Sequence, residues 1–266
     1  MINIVIPMAG RGSRFVTAGF VNPKPFIDVE GVPMIQRVID NLTPYEPYRF
    51  IFLARREHEE FIRTHMSFAT DIIWVDEVTE GAACTVLLAS KLINTTDPLI
   101  IANSDQFVEW NDETETKYAT EFGPKYWRES NNIQDMINCA RDENLDAMIA
   151  TFYATHPKWS YAKLSKGLVT KVAEKKVISN EATVGVYYYR YGSDFVTAAR
   201  QMIDKNIRVN NEFYVCPVFN EMIEAKLKIG TYRVSAMHGM GTPEDLIKFK
   251  MRLRCRGEIK NGYINL

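Results

Sequence analysis

The densest run of potential chemistry in the chain is Pro7-Met8-Ala9-Gly10-Arg11-Gly12-Ser13-Arg14, followed after nine residues by Lys24-Pro25. Glycine tolerates tight turns and leaves backbone N–H groups uncovered, which suits contact with an anion. Arg14 and Lys24 add two fixed cations beside that loop. Together these groups suit a triphosphate whose negative charge grows on departing oxygens. The run is not a Walker loop, because G-x-x-x-x-G-K-[ST] is absent, and it lacks the third glycine of the dinucleotide fingerprint. A structural turn beside two solvated cations is the plainer alternative. The preceding apolar strand and the Lys-Pro pair weigh against it.

A second site of chemistry is Asn103-Ser104-Asp105, which follows the apolar run Leu99–Ala102 directly. If that run is a buried strand, Asp105 emerges at the carboxyl edge of the sheet, where open α/β sheets bind ligands. A carboxylate there can hold a hard cation that bridges phosphate oxygens. The alternative is an Asx turn or a helix cap.

The elements that position these residues alternate in period. Asn3–Met8, Arg49–Ala54, Ile72–Val75 and Leu99–Ala102 read as buried strands. Met34–Leu42, Glu57–Phe68 and Gly81–Ile93 read as helices between them. Such alternation predicts a parallel α/β sheet. In the second half, Ile133–Asp142 is a predicted helix, and Ala147–Tyr153, Thr183–Tyr189 and Ile229–Val234 are predicted strands. Tyr161–Leu164 and Leu168–Ala173 form a predicted hairpin across Ser165-Lys166-Gly167. Phe195–Ile203 and Val218–Ala225 read as helices. Pro243 opens the last helix, with Thr242 as its N-cap and Glu244 and Asp245 in its first turn. No repeat or linker breaks the chain. The expectation is a single domain over 1–266 with a mixed second half; the family resemblance of its motifs implies an NTP-binding half at 1–108 and an acceptor-binding half at 133–266. The acidic stretch at 109–132 reads as a surface insertion, either a solvated loop or a lid or oligomer contact.

These motifs resemble the signature of nucleotidyltransferases that act on sugar 1-phosphates and related phosphorylated small molecules. The resemblance rests on Gly10-x-Gly12-x-Arg14 with Lys24-Pro25. It continues through Glu80-Gly81-Ala82-Ala83-Cys84-Thr85, Asn103-Ser104-Asp105, Trp159-Ser160-Tyr161-Ala162, Glu174-Lys175, Ala182-Thr183-Val184-Gly185, Asn211-Glu212-Phe213 and Gly241-Thr242-Pro243-Glu244-Asp245. It implies a Rossmann-like GT-A nucleotidyltransferase fold, an α/β architecture with a mixed, mostly parallel central sheet flanked by helices. The implied reaction is attack by an acceptor phosphate on the α-phosphorus of an NTP, with release of pyrophosphate. Arg14 and Lys24 take the catalytic roles, and Asp105 holds Mg2+. Met8, Ala9, Gly10, Arg11, Gly12, Ser13, Glu80, Gly81, Ala82, Asn103 and Ser104 face the nucleotide. Tyr161, Glu174, Lys175, Gly185, Asn211 and Glu212 face the acceptor.

The combination is most similar to members that use CTP and transfer CMP to phosphoglutamine in capsule polysaccharide modification. Asp76, Glu77 and Glu80 could accept from a cytosine 4-amino group, which agrees with CTP. Family members usually place a second metal-binding Asp just before the late Gly-Thr. Here Gly239 stands at that position, which leaves a magnesium held by Asp105, phosphates and water alone; Asp245 is the lesser substitute, because the expected helix start already uses it. Outside the resemblance, Glu174-Lys175 can be a solvated pair and Asn211-Glu212 a helix cap.

Composition sets the outer bounds. Lys and Arg number 32 against 33 Asp and Glu, a net charge of −1, which excludes a general nucleic-acid or membrane-surface binder. No apolar run reaches the length of a membrane span, and the N-terminal apolar stretch is only strand-length. Cys84, Cys139, Cys216 and Cys255 show no C-x-x-C pairing, so reduced thiols in a cytoplasmic protein are expected. Because related enzymes commonly associate, a homodimer is expected. Three rival readings stay open: a sugar-1-phosphate nucleotidyltransferase using dTTP, UTP or GTP; a GT-A glycosyltransferase in which Asn103-Ser104-Asp105 replaces a D-x-D motif; and a non-catalytic nucleotide sensor, which the absent acid at Gly239 favours.

Overall fold

In a computed structural model of the chain, residues 1–66, 71–110 and 132–257 are described. All but the ends of the acidic stretch at 109–132 therefore lies outside the described residues.

The strands are β1 (Ile2–Pro7), β2 (Tyr48–Arg55), β3 (Asp71–Val75), β4 (Leu99–Ala102), β5 (Gln106–Glu109), β6 (Ala147–Tyr153), β7 (Tyr161–Ser165), β8 (Leu168–Ala173), β9 (Glu181–Tyr189), β10 (Ile229–Arg233) and β11 (Ala236–Gly239). The helices are α1 (Ser13–Thr17), α2 (Met34–Asn41), α3 (Glu59–His65), α4 (Ala82–Leu87), α5 (Ser90–Ile93), α6 (Ile133–Asp142), α7 (Gly192–Asp204), α8 (Val218–Glu224) and α9 (Pro243–Cys255).

Among the described residues the central sheet runs β10-β6-β9-β4-β1-β2-β3, with the β7–β8 hairpin attached to β9. β1 pairs in parallel with β2 and β4, and β2 with β3. β9 lies antiparallel between β4 and β6, and β10 returns parallel to β6. The mixed, mostly parallel sheet flanked by helices is the architecture that the alternating pattern predicts.

β1 and β4 read as continuous apolar runs because both their faces are covered. Ile4 and Ile6 of β1 and Ile100 of β4 enter one hydrophobic cluster, while Val5 and Ile101 enter the other. After β1 the chain builds outward through β2 and β3, then returns to place β4 on β1's opposite side. That reversal of strand order opens a crevice at the carboxyl ends of β1 and β4. The glycine loop leaves β1 there, and Asn103-Ser104-Asp105 leaves β4.

Two details differ from the sequence expectation. The helix expected over Gly81–Ile93 is two short segments, because tighter i→i+3 bonds close the backbone at Leu88 and Ala89. A small antiparallel sheet of β5 and β11 was not expected. It brings Asp105 against the Gly239–Gly241 segment, where Met240 N donates to Asp105 O at 2.7 Å. Glu109, at the end of β5, fastens α9 to this sheet. It accepts from Arg252 Nη2 at 2.7 Å and lies 2.8 Å from His238 Nε2. As Pro243 predicts, α9 starts at Thr242, whose Oγ1 accepts from Asp245 N at 3.2 Å. No helix among the described residues is long and apolar enough to cross a membrane.

Candidate active site

The crevice holds a cavity of about 370 Å³. Its lining includes Met8, Gly10, Gly12, Ala82, Lys24, Asp105, Trp159, Ser160 and Glu174.

Gly12 shows why the loop needs glycine. Its φ is +62°, and a Cβ would lie 3.2 Å from Lys24 Cβ. At Gly10, by contrast, a Cβ would meet nothing within 4 Å. The bare backbone there faces open space rather than protein.

Lys24 Nζ donates to Asp105 Oδ2. The two side chains are 21% and 23% exposed, so this pair sits in the wall of the crevice. Lys24 Nζ also lies 5.9 Å from the centroid of the Phe15 ring. Beside them, Gln106 Oε1 is buried without a hydrogen-bond partner. Gly185, with φ +80°, leaves room for Asn103 Nδ2 and Gln106 Oε1, which a Cβ would strike.

These groups bear on magnesium. Among the described residues no three His, Cys, Asp or Glu side chains cluster as a metal cage. A Cβ at Gly241 would lie 2.8 Å from Asp105 Oδ2, so no second acid adjoins Asp105 on that side. At Gly239 a Cβ would lie 3.8 Å from Asp245 Oδ2, and the same carboxylate approaches Lys158 Nζ through Oδ1 at 3.8 Å. One carboxylate with neutral oxygens fits a cation that takes most of its ligands from substrate phosphates and water, as Mg2+ commonly does.

The lining also carries the carboxyl of Glu174 and the thiol of Cys216. Burial lifts the Glu174 carboxyl above its usual range, although its bond from Ser160 Oγ and the charge of Lys175 pull the other way. Thr183 and Tyr187 share a hydrogen bond of 3.1 Å behind it. Burial also pushes the Cys216 thiol up, which suppresses the nucleophilic thiolate. Lys158 lies 4.4 Å over the Trp159 ring.

Ten of the residues that the sequence nominates line this cavity: Met8, Gly10, Gly12, Lys24, Ala82, Asn103, Ser104, Asp105, Glu174 and Gly185. Arg11 lines a neighbouring cavity, and the exposed Arg14 lines neither. Ala9 and Ser13 belong to the loop but do not reach the cavity surface. Tyr161 is fully buried, and its hydroxyl donates to His156 O at 2.8 Å; Trp159 and Ser160 face the cavity in its place.

The remaining nominees have local structural occupations. Gly81, with φ +134°, sits where a Cβ would lie 2.5 Å from the backbone N and O of Phe213. Glu80 is ion-paired with Arg208. Lys175 Nζ donates to Tyr214 Oη at 2.6 Å. Asn210 and Asn211 have φ of +49° and +63°, and Val209 and Glu212 exchange backbone bonds of 3.0 Å around them, which makes a two-residue hairpin turn. Sequence reasoning missed Gln106, Lys158, Tyr187, Tyr214 and Cys216 on the lining. Only Gln106, directly after Asp105, carried a positional hint.

Residues 4–109 match the family model of the MobA-like NTP transferase domain. The matched segment holds the glycine loop, Lys24 and Asp105. No curated protein matches the sequence significantly. Among solved structures, a nucleoside-diphosphate-sugar pyrophosphorylase from Vibrio cholerae RC9 superposes with a TM-score of 0.70 at 22% identity, covering 93% of this chain and 99% of its own. A UDP-glucose pyrophosphorylase complexed with UDP-glucose gives 0.71 at 15% identity, with 96% and 100% covered. The UDP-glucose pyrophosphorylase from Acinetobacter baumanii gives 0.68 at 16% identity, with 95% and 93% covered. At these identities the likeness is one of fold, and it runs the length of the chain.

Proposed function

We propose that the protein transfers a nucleoside monophosphate from an NTP to a phosphorylated small molecule, and that the acceptor is a sugar 1-phosphate. The observation that carries this reading is the single cavity that the glycine loop, the Lys24–Asp105 pair and Glu174 all line. The loop and Lys24 suit a triphosphate. Trp159, Ser160, Glu174 and Thr183 offer an aromatic face and hydrogen-bonding groups, which suit a polyhydroxylated ring. The named activities of the structural neighbours agree with that acceptor.

The acceptor phosphate is already an anionic nucleophile near neutral pH, so no general base is required. Its oxygen forms a bond to the α-phosphorus while the bond from that phosphorus to the β-phosphate oxygen breaks, and the electron pair leaves on pyrophosphate. Lys24 holds charge between the α-phosphate and the incoming phosphate, and the loop backbone positions the rest. Asp105 would hold Mg2+, which supplies charge neutralisation at phosphate oxygens. Catalysis then rests on alignment and electrostatics, as in other phosphoryl chemistry.

A second reading keeps CTP and phosphoglutamine. Lys158 and Glu174 on the cavity lining could take the carboxylate and ammonium of an amino-acid phosphate. The argument for cytosine from nearby carboxylates is weaker, because Arg208 already occupies Glu80. The test is pyrophosphate release with CTP, UTP, dTTP, GTP and ATP crossed with glucose 1-phosphate, other sugar 1-phosphates, phosphocholine and phosphoglutamine. Release with a sugar 1-phosphate supports the first reading, and release confined to CTP with phosphoglutamine replaces it with the second. Tight NTP binding without release for any pair would favour the nucleotide sensor.

A further inference from the structure

Asn103 follows β4 and Gln106 opens β5, so the two bracket Ser104 and Asp105. Both side chains belong to the cavity lining. Their carboxamides meet over β9. Asn103 N donates to Gly185 O at 3.0 Å, which fixes the main chain there. A Cβ on Gly185 would strike both Asn103 Nδ2 and Gln106 Oε1, so the two amide ends are neighbours above that glycine. Thr183 and Tyr187, two residues to either side on β9, line the same cavity.

Gln106 Oε1 is buried yet has no hydrogen-bond partner, so the neighbouring Asn103 Nδ2 does not donate to it. A carbonyl oxygen without a partner is costly to bury, and native proteins keep few. An apolar side chain of similar shape would avoid that cost. The orphan acceptor is explained if a ligand supplies the donor. The terminal torsion of glutamine is soft, so the amide turns either end toward the cavity with little resistance. Phosphate offers chiefly acceptor oxygens and would leave Oε1 unpaired. A hydroxyl both donates and accepts, as a carboxamide does, and two carboxamides side by side match adjacent hydroxyls.

We propose that Asn103 and Gln106 act as a pair that reads hydroxyl groups on the acceptor sugar. This inference rests on the sugar 1-phosphate reading. The ribose of the NTP carries the same chemistry. The acceptor is favoured because Gly185, beneath the pair, lies between Thr183 and Tyr187, which share the cavity wall with Glu174. The sequence nominated Asn103 for the nucleotide and missed Gln106; the pairing assigns both to the acceptor.

The test compares turnover and melting of Gln106→Met and Asn103→Leu with the wild-type protein. Acceptors are glucose 1-phosphate and other sugar 1-phosphates with their monodeoxy analogues, and nucleotides are NTPs with their 2′-deoxy and 3′-deoxy forms. In the wild type, removing the recognised hydroxyl lowers kcat/KM by about 10-fold or more, the scale of a lost hydrogen bond to a buried polar group. Each variant loses a similar factor on the full sugar and no longer distinguishes it from that deoxy analogue. Its preference between NTP and deoxy-NTP stays at the wild-type value. Without ligand, Gln106→Met melts about 2–4 °C above wild type, because the orphan acceptor is gone. Sugar turnover with undiminished discrimination in both variants overturns the proposal and leaves the functional reading standing. Discrimination lost at the ribose instead overturns the assignment to the acceptor. A Gln106→Met protein no more stable than wild type overturns the argument from the orphan oxygen, and with it the proposal. No turnover of any sugar 1-phosphate by the wild type overturns the functional reading itself, and this assignment with it.

Discussion

Lys24 and Asp105 are ion-paired across 81 residues of chain, in the wall of the crevice where β1 and β4 end side by side. The pair joins the two segments most suited to phosphate chemistry. Its partners also compete: each holds a charge that phosphate or a metal ion would engage when bound.

Breaking this pair should show in turnover. Lys24→Ala should lower kcat by about 10²–10³, the loss typical of a removed charge-stabilising donor. Asp105→Asn should raise the magnesium concentration needed for half-maximal rate, and chelation should stop the wild-type reaction. Initial rates across a magnesium series check both. Equal magnesium dependence in Asp105→Asn and wild type would sink the role given to Asp105.

The glycines divide into structural and ligand-facing positions. Gly81→Ala forces a Cβ into the Phe213 backbone at a positive φ and should cost about 2–4 kcal/mol. Gly10→Ala meets no neighbour and should stay within about 0.5 kcal/mol of wild type. It nevertheless covers backbone that lines both cavities, so NTP affinity should fall. Urea unfolding and nucleotide titration of the two variants separate the effects.

Glu174 should separate acceptor from nucleotide. Glu174→Ala should raise KM for a sugar 1-phosphate by about 10-fold or more, the scale of a lost hydrogen bond to a buried polar group, with KM for the NTP little changed. Lys158→Met should raise KM sharply only for an acceptor that carries a carboxylate. The two KM values measured on both acceptor types distinguish the sugar from the amino-acid reading.

The same carboxyl gives a pH signature. Its folded value lies above the ordinary 4.5 because burial disfavours the charged form. The folded state therefore holds this proton more tightly than the unfolded state does. The resulting stabilisation is full below the ordinary value and is lost as pH rises through the raised one. Glu174→Gln lacks this titration. Its stability relative to wild type should therefore grow as pH rises across that window. Thermal melts of both proteins from about pH 4 to about pH 8 check the sign.

The parts legible in the sequence were those fixed by local pattern. β1 and β4 are apolar on both faces, so their ends, and with them the glycine loop and Asp105, could be placed on one sheet edge. Thr242 and Pro243 marked the start of α9 by cap chemistry alone. The β5–β11 pair was not legible, because two four-residue strands pair across more than a hundred residues and neither is apolar enough to stand out. Side-chain direction was also hidden. Tyr161 turns inward, while Lys158 and Trp159 reach the cavity. Gly81 and Asn211 have purely backbone reasons for their identity, visible only once Phe213 and the Val209–Glu212 turn are in place.

The most direct test of the central claim, attack at the α-phosphorus, is to follow label from NTP carrying α- or γ-phosphate label in the presence of magnesium and a sugar 1-phosphate. The account predicts α-label in a nucleotide–sugar product and γ-label in pyrophosphate. Transfer of γ-label to the acceptor, or γ-label released as inorganic phosphate, would contradict it.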